Sequence, residues 1–149
     1  MDSDPVIQAA QSAFKERLRD NNDVSENTRN AQSIAKVWRA SVHALDPDRY
    51  TIEALVAPEF DQKIDIVDME TVTAYEFKVS GKNAAAEFYK DVVKVIVWNQ
   101  SRKRKINRLV FITEEGWGRK YLDTPMPQAY IAYLGSQDLT VEIAYVRHI

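Results

Sequence analysis

Three charged side chains, Asp65, Glu76 and Lys78, lie in two segments of this sequence that have the pattern of neighbouring β-strands. Residues 63–68 and 72–80 alternate in polarity and are rich in β-branched and aromatic residues, which is typical of strands. The short interval between them predicts a hairpin. Carboxylate oxygens are ligands that Mg²⁺ prefers, so a hairpin that brings two carboxylates together is a candidate metal site.

The register of this hairpin decides whether the two carboxylates meet. A turn that pairs Asp68 with Thr73, or one that is a residue tighter on each side, places Asp65 directly opposite Glu76. Opposed side chains have Cβ atoms about 4.5–5.5 Å apart, and like charges at that distance destabilise a sheet. A divalent cation between the carboxylates offsets this repulsion. The alternative interpretation is a solvated strand face that carries a glutamate–lysine salt bridge.

The second strand of the hairpin has two different faces. Lys78 is two residues beyond Glu76, so its side chain projects from the same face. Tyr75, Phe77 and Val79 project from the opposite face, where we expect a helix to cover them.

Composition limits the other kinds of chemistry that this chain can perform. Its 149 residues include no cysteine, which excludes thiolate zinc sites and cysteine nucleophiles, and only two histidines, which disfavours a histidine-rich metal centre. The sequence contains no Gly-rich phosphate loop, Ser–His–Asp set or HExxH motif. The N-terminal segment lacks the features of a signal peptide, and no apolar run approaches the roughly 20 residues that span a bilayer. We therefore expect a cytoplasmic protein without membrane contact.

Charge is segregated along the chain although the net charge is only -2. Residues 46–76 carry nine acidic and two basic side chains, whereas residues 78–108 carry nine basic and two acidic ones. This predicts a carboxylate site beside a surface that attracts polyanions, the alternative being ordinary surface charge. The candidate nucleic-acid contacts in the basic segment are Lys82, Lys90, Lys94, Arg102, Lys103, Arg104 and Lys105.

The order of predicted elements indicates an α/β fold in one domain that covers residues 1–149. The order is ααβββαβαβ, which implies a mixed sheet with helices on both faces. A helix within residues 1–22, capped by Asp4 before Pro5, is expected to lie at the periphery of the core. The βαβ unit after residue 72 makes part of the sheet parallel. Trp117 lies between two glycines, in a segment expected to be a loop.

The motif residues resemble those of a known nuclease superfamily. Asp65 in Lys-Ile-Asp-Ile-Val-Asp, followed by Tyr-Glu-Phe-Lys-Val-Ser at 75–80, is similar to the PD-(D/E)XK motif of restriction-endonuclease-like proteins. The resemblance covers residues 24–113 and implies a restriction-endonuclease-like core. Ile64 stands where the proline of the motif is expected.

The resemblance also implies roles for individual residues. Asp65, Glu76 and the backbone carbonyl of Phe77 are implied to bind Mg²⁺, for which Mn²⁺ can substitute. Lys78 resembles the lysine that orients the attacking water and stabilises the charged transition state. Glu26 resembles a helix carboxylate of the metal site, and with Asp23 as N-cap it is also the N3 residue of a capping box. These two roles of Glu26 are compatible.

The function implied is Mg²⁺-dependent hydrolysis of nucleic-acid phosphodiester bonds. The resemblance favours a DNA endonuclease of restriction, defence or repair type. One copy of the chain offers one site, so cutting both strands of a duplex requires a homodimer or a recognition-subunit partner. The alternatives are a nucleic-acid-binding module that does not cleave, or a nuclease subunit of a larger complex that uses the same fold.

Overall fold

The computed structural model describes residues 4–20, 27–79 and 83–148, without the side chains of residues 17–20 and 27–30. These residues form five helices and one five-stranded sheet. In chain order, the elements are α1 (Pro5–Asp20), α2 (Asn27–Leu45), β1 (Tyr50–Leu55), β2 (Lys63–Asp68), β3 (Thr73–Lys78), α3 (Ala84–Ser101), β4 (Arg108–Glu114), α4 (Glu115–Tyr121), α5 (Pro125–Ser136) and β5 (Thr140–Val146).

The strands lie in the sheet in their chain order, from β1 to β5. The β1–β2 and β2–β3 pairs are antiparallel, whereas the β3–β4 and β4–β5 pairs are parallel. The mixed α/β sheet predicted from the sequence is therefore confirmed. Because β3, β4 and β5 run in the same direction, the C-terminal ends of β3, β4 and β5 meet at one edge of the sheet.

Helices bury both faces of the sheet. On one face, α3 and α5 cover a cluster that we call the α3 cluster; its largest members include Phe88, Trp98, Leu109, Phe111, Leu122 and Leu134. On the other face, α1 and α2 cover a second cluster, which we call the α1–α2 cluster; it includes Phe14, Trp38, Tyr75, Phe77, Val110 and Ile112. The predicted burial of Tyr75, Phe77 and Val79 under helices is confirmed.

Helix α1 differs from the peripheral element expected from the sequence. Val6, Ala10 and Phe14 are almost fully buried in the α1–α2 cluster. The start of α1 is capped as predicted, because the amide of Val6 donates to Asp4 Oδ1 at 2.9 Å. The indole of Trp38 donates to the Val6 carbonyl at 3.0 Å. Helix α1 is thus part of the core that supports the sheet.

The predicted register of the β2–β3 hairpin is confirmed. Asp68 pairs with Thr73, Val67 with Ala74 and Ile66 with Tyr75. Continuing this register by one residue on each strand places Asp65 opposite Glu76.

Glu53 and Asp65 mark a point where β1 and β2 both change the face that they bury. Strands β1 and β2 pair with each other on both sides of these two residues. The side chains that precede and follow each of them in its strand belong to opposite clusters, although residues two apart in a regular strand share a face. These side chains are Ile52 and Ala54 in β1 and Ile64 and Ile66 in β2. Glu53 has a φ of 47°, an uncommon conformation for a non-glycine residue.

Helix α4 corrects the predicted element order, which becomes ααβββαβααβ. Two glycines argued against a helix here, because glycine costs about 1 kcal/mol relative to alanine in a helix interior. Glu114 offsets part of that cost, since its carboxylate accepts the amides of Gly116 and Trp117 at 2.7 and 3.2 Å. Gly118 is required by close packing: a Cβ there would overlap the Tyr145 ring and lie 2.8 Å from Thr113 Cγ2.

Candidate active site

Asp65 and Glu76 converge where the regular β2–β3 pairing ends. The Asp65 amide donates to Glu76 Oε1 at 3.1 Å, and the Phe77 amide donates to Asp65 Oδ2 at 3.0 Å. Each carboxylate therefore accepts a backbone amide of the neighbouring strand. These hydrogen bonds hold the two carboxylates together in the gap between the strands.

The backbone of Phe77 also faces this gap. The amide and the carbonyl of one residue in a strand point to the same side of that strand. Because the Phe77 amide donates towards β2, its carbonyl is directed to the β2 side as well. The three oxygen-bearing groups implied as metal ligands in β2 and β3 thus lie on one side of β3.

Glu76 is buried, at 4% exposure, and belongs to a group of charged side chains under α3. The Nζ atom of Lys94 lies 3.4 Å from Glu76 Oε1 and 3.1 Å from Asp91 Oδ1. Asp91 is also buried, at 5% exposure. We call Asp65, Glu76 and Asp91 the carboxylate cluster, and Lys94 lies against two of its members.

Burial and acidic neighbours shift the pKa values of Glu76 and Asp91. Burial raises the pKa of Glu76 well above its ordinary value, and the nearby Asp65 and Asp91 carboxylates raise it further, while Lys94 lowers it. Burial also raises the pKa of Asp91 to about 6, against the lowering effect of Lys94. Burial lowers the pKa of Lys94, but Glu76 and Asp91 outweigh it, so that pKa is raised. An added positive charge beside these carboxylates would be stabilised.

Lys78 lies on the same face of β3 as Glu76 and contacts α3. Its Nζ atom is 3.9 Å from Glu87 Oε1, and Lys90 approaches the other oxygen of Glu87 at the same distance. Glu87 therefore lies between two lysines, Lys78 and Lys90. Lys78 is half-buried, with 31% of its side chain exposed.

Arg39 of α2 reaches Asp65 from the opposite side of the sheet. Its guanidinium lies 3.7 Å from Asp65 Oδ1 and 4.0 Å from Glu53 Oε1. It therefore bridges the two residues at which β1 and β2 change faces.

The six predicted nucleic-acid contacts that the structure describes fall into three groups. Lys90, Lys103 and Lys105 are exposed. Arg102 and Arg104 donate to backbone carbonyls, Arg102 to those of Leu55 and Val56 and Arg104 to that of Glu70, and Arg102 also covers the ring of Trp98. Lys94 is 13% exposed and lies against the carboxylate cluster. Lys82 lies outside the described residues.

Glu26, the predicted fourth metal ligand, also lies outside the described residues. Within the part of the chain that the structure describes, no group of three or more His, Cys, Asp or Glu side chains is close enough to hold a metal ion. Across those same residues, no helix is long and apolar enough to cross a membrane.

Asp91 and Arg39 were not predicted as site residues, and Lys94 was predicted as a nucleic-acid contact without its contacts to Glu76 and Asp91. Asp91 follows Phe88 by three residues and precedes Val95 by four, so it falls on the buried stripe of α3. A carboxylate on such a stripe was a signal that the sequence offered, and Lys94, three residues further on, shares it. Arg39 carries no comparable signal, because it is one of several polar residues on α2.

No known protein family, curated protein or solved structure gives a significant match to this chain. The protein is a mixed α/β domain with a partly buried carboxylate cluster between the β2–β3 gap and α3.

Proposed function

We propose that this chain is a metal-dependent nuclease with a restriction-endonuclease-like core, which hydrolyses phosphodiester bonds of nucleic acid, DNA above all. One observation carries the proposal: the carboxylates of Asp65 and Glu76, on adjacent strands, lie together in the β2–β3 gap, where the Asp65 amide donates to Glu76. Lys78 lies two residues along the same strand face, as the motif requires. The basic segment that follows β3 supports a polyanionic substrate.

The donor set is compatible with Mg²⁺. This ion usually binds through one or two carboxylates and keeps several waters, so three acidic side chains are not required. Asp65, Glu76 and the carbonyl of Phe77 would hold it. When bound, Mg²⁺ supplies Lewis-acid stabilisation of charge on the phosphoryl oxygens. Lys94 contacts both Glu76 and Asp91, so it can remain paired with Asp91 when another cation approaches Glu76.

The side chains around the gap have separate tasks in this proposal. The Phe77 amide orients Asp65, and the Asp65 amide orients Glu76. Lys78 places an ammonium group where it can orient a water and stabilise negative charge that develops on the phosphate. Lys90, Lys103 and Lys105 hold the strand through its phosphates, which carries little sequence information. One site in each copy implies that duplex cleavage uses two copies or a recognition partner.

A non-cleaving nucleic-acid-binding module is the second candidate. A specific observation favours it: Lys94 already offsets the charge of Glu76, and Lys78 is paired with Glu87. Such pairs allow a carboxylate cluster to be stable without a bound metal ion. In this candidate the site holds the fold together, and the basic segment alone binds the strand.

A cleavage assay separates the two candidates. Purified protein is incubated with plasmid, single-stranded DNA and RNA in Mg²⁺, Mn²⁺ or EDTA. The nuclease proposal expects cleavage that requires metal and is lost in Asp65→Asn and Glu76→Gln, while Asp61→Asn, an exposed loop variant, retains it. Binding without cleavage in either metal supports the second candidate. Asp65→Asn protein that cuts at the wild-type rate removes Asp65 from the site.

A further inference from the structure

A cavity of about 340 Å³ lies between α3 and the loop that joins β1 to β2. Its apolar walls are formed by Val56, Phe60, Val93 and Val97. Phe60 and Val93 are exposed, at 48% and 53%, so an aromatic ring and an aliphatic side chain face solvent on opposite sides of the cavity. Concave and mostly apolar clefts of roughly 300–1,000 Å³ are typical binding sites for small ligands.

The polar side chains of the cavity connect it to the candidate active site. Lys94 lines the cavity, and its Nζ atom contacts Glu76 and Asp91. Lys90 also lines it and contacts Glu87, which in turn contacts Lys78. The cavity therefore adjoins the carboxylate cluster through Lys94 and the Lys78–Glu87 pair through Lys90.

We propose that this cavity binds an unpaired base of the nucleic-acid strand whose phosphate lies beside Asp65 and Glu76. The inference rests on the proposed function and adds a substrate class to it: single-stranded nucleic acid, or a duplex with an extruded nucleotide. The base stacks on Phe60 between aliphatic walls, as bases stack on aromatic side chains of single-strand-binding proteins. Lys90, 55% exposed, lies where it pairs with a phosphate of the same strand.

Gln62 gives the cavity a side chain that can form hydrogen bonds with the edge of a base. It lines the cavity, and its side-chain amide carries two donors and an acceptor, which every base edge can engage. The charge of Lys90, at the exposed rim, complements a polyanion. A paired base has its edge engaged and both faces stacked, so the cavity selects nucleotides outside a duplex.

Binding in EDTA tests the inference without relying on cleavage. Fluorescence anisotropy is measured with a labelled single strand, the same strand in a duplex, and the same strand with abasic sites. The change is Phe60→Ala, and the matched control is Tyr133→Ala, an exposed tyrosine of α5. Loss of stacking predicts that Phe60→Ala weakens single-strand binding by roughly 5- to 100-fold and leaves duplex binding unchanged. The abasic strand should bind wild-type protein as weakly as the intact strand binds the variant.

Several results would overturn the inference. Phe60→Ala protein that melts like wild type and binds the single strand equally well would show that the cavity takes no base, as would wild-type protein that binds no single strand. A wild-type dimer that becomes monomeric in Val93→Asp would assign the cavity to an interface between copies. The two proposals fail separately: single-strand binding through Phe60 without cleavage in Mg²⁺ or Mn²⁺ overturns the nuclease, and metal-dependent cleavage that Phe60→Ala leaves intact overturns only the base site.

Discussion

The Asp65 amide donates a hydrogen bond to Glu76 Oε1 at 3.1 Å, so the second carboxylate of the site is held by the backbone of the first. Two like charges are thereby kept together at a position where a sheet would otherwise avoid them. The contact is made by a backbone amide, so it survives replacement of either carboxylate by its amide. This makes isosteric substitutions informative at both positions.

Glu76→Gln should leave the metal-free protein as stable as wild type or more stable at about pH 8. Burial and acidic neighbours raise the pKa of Glu76. At a pH where Glu76 is ionised, its charge therefore destabilises the folded state. Glutamine keeps an acceptor for the Asp65 amide and carries no charge. Urea denaturation at several pH values measures the effect, and the advantage of the variant should disappear as the pH falls and Glu76 becomes neutral. A large loss of stability at high pH would mean that the Lys94 contact dominates.

Lys94→Met should destabilise the protein by about 3 kcal/mol at neutral pH, because it leaves two buried carboxylates without their cationic partner. The cost should shrink as the pH falls through the raised pKa values of Glu76 and Asp91, the latter about 6, since protonated carboxyls need no partner. Lys90→Met is the matched control: it removes a 55% exposed lysine one turn earlier and should cost less than about 0.5 kcal/mol. Equal costs for the two variants would contradict the assigned role of Lys94.

Lys78→Ala should reduce turnover by roughly 100-fold or more while Mn²⁺ binding changes little, because the lysine acts on water and developing charge. Calorimetry with Mn²⁺ and single-turnover cleavage measure the two quantities. Lys78 also contacts Glu87, so Glu87→Gln is the control that breaks this pair and keeps the lysine. If both variants lose the same activity, the pair has a structural role and Lys78 does not act on the substrate.

Asp68 lies at the turn end of the β2–β3 hairpin, and Asp68→Asn tests how much the charge of Asp68 stabilises the fold. Its carboxylate accepts two hydrogen bonds from Arg49, at 3.0 and 2.9 Å. Burial raises the pKa of Asp68, but the bonds from Arg49 and Thr71 outweigh it, so the pKa is lowered. A lowered pKa stabilises the fold above the unfolded value of about 3.9 and the contribution is lost as the pH falls through the folded value.

Asp68→Asn should therefore cost about 1–3 kcal/mol at neutral pH and progressively less below about pH 4, as measured by urea denaturation. Glu70→Gln supplies the control. Glu70 lies 3.5 Å from Arg49 but is 68% exposed, so its removal should have little effect at any pH. A cost for Asp68→Asn that does not vary with pH would show that packing, not charge, explains it.

The sequence predicted the hairpin well because local chemistry determines it. The side-chain alternation defines both strands, and every turn that fits gives the register in which Asp65 opposes Glu76. The same logic located Lys78 on the face of Glu76 and Phe77 on the opposite face, which α1 and α2 cover. These relationships depend on residues close together in the chain.

The rest of the site depends on tertiary contacts that local patterns do not report. Arg39 contacts Asp65 from α2, on one face of the sheet. Lys94 contacts Glu76 from α3, on the other face. Helix α4 was missed because its two glycines are disfavoured locally, and the Glu114 cap and the contact with Tyr145 override that preference. The change of face at Asp65 was missed because it involves β1 and β2 together.

That change of face divides the β1–β2 hairpin into two parts that pack differently. The outer part packs against α3 through Val56 and Ile64. Arg102 donates to the Val56 carbonyl just after β1, and its guanidinium lies over the ring of Trp98 in α3. The inner part packs on both faces of the sheet, with Ile66 in the α1–α2 cluster and Val67 in the α3 cluster. A ligand that enters between the hairpin tip and α3 therefore contacts the outer part of the hairpin, which ends at Asp65, a carboxylate of the candidate active site.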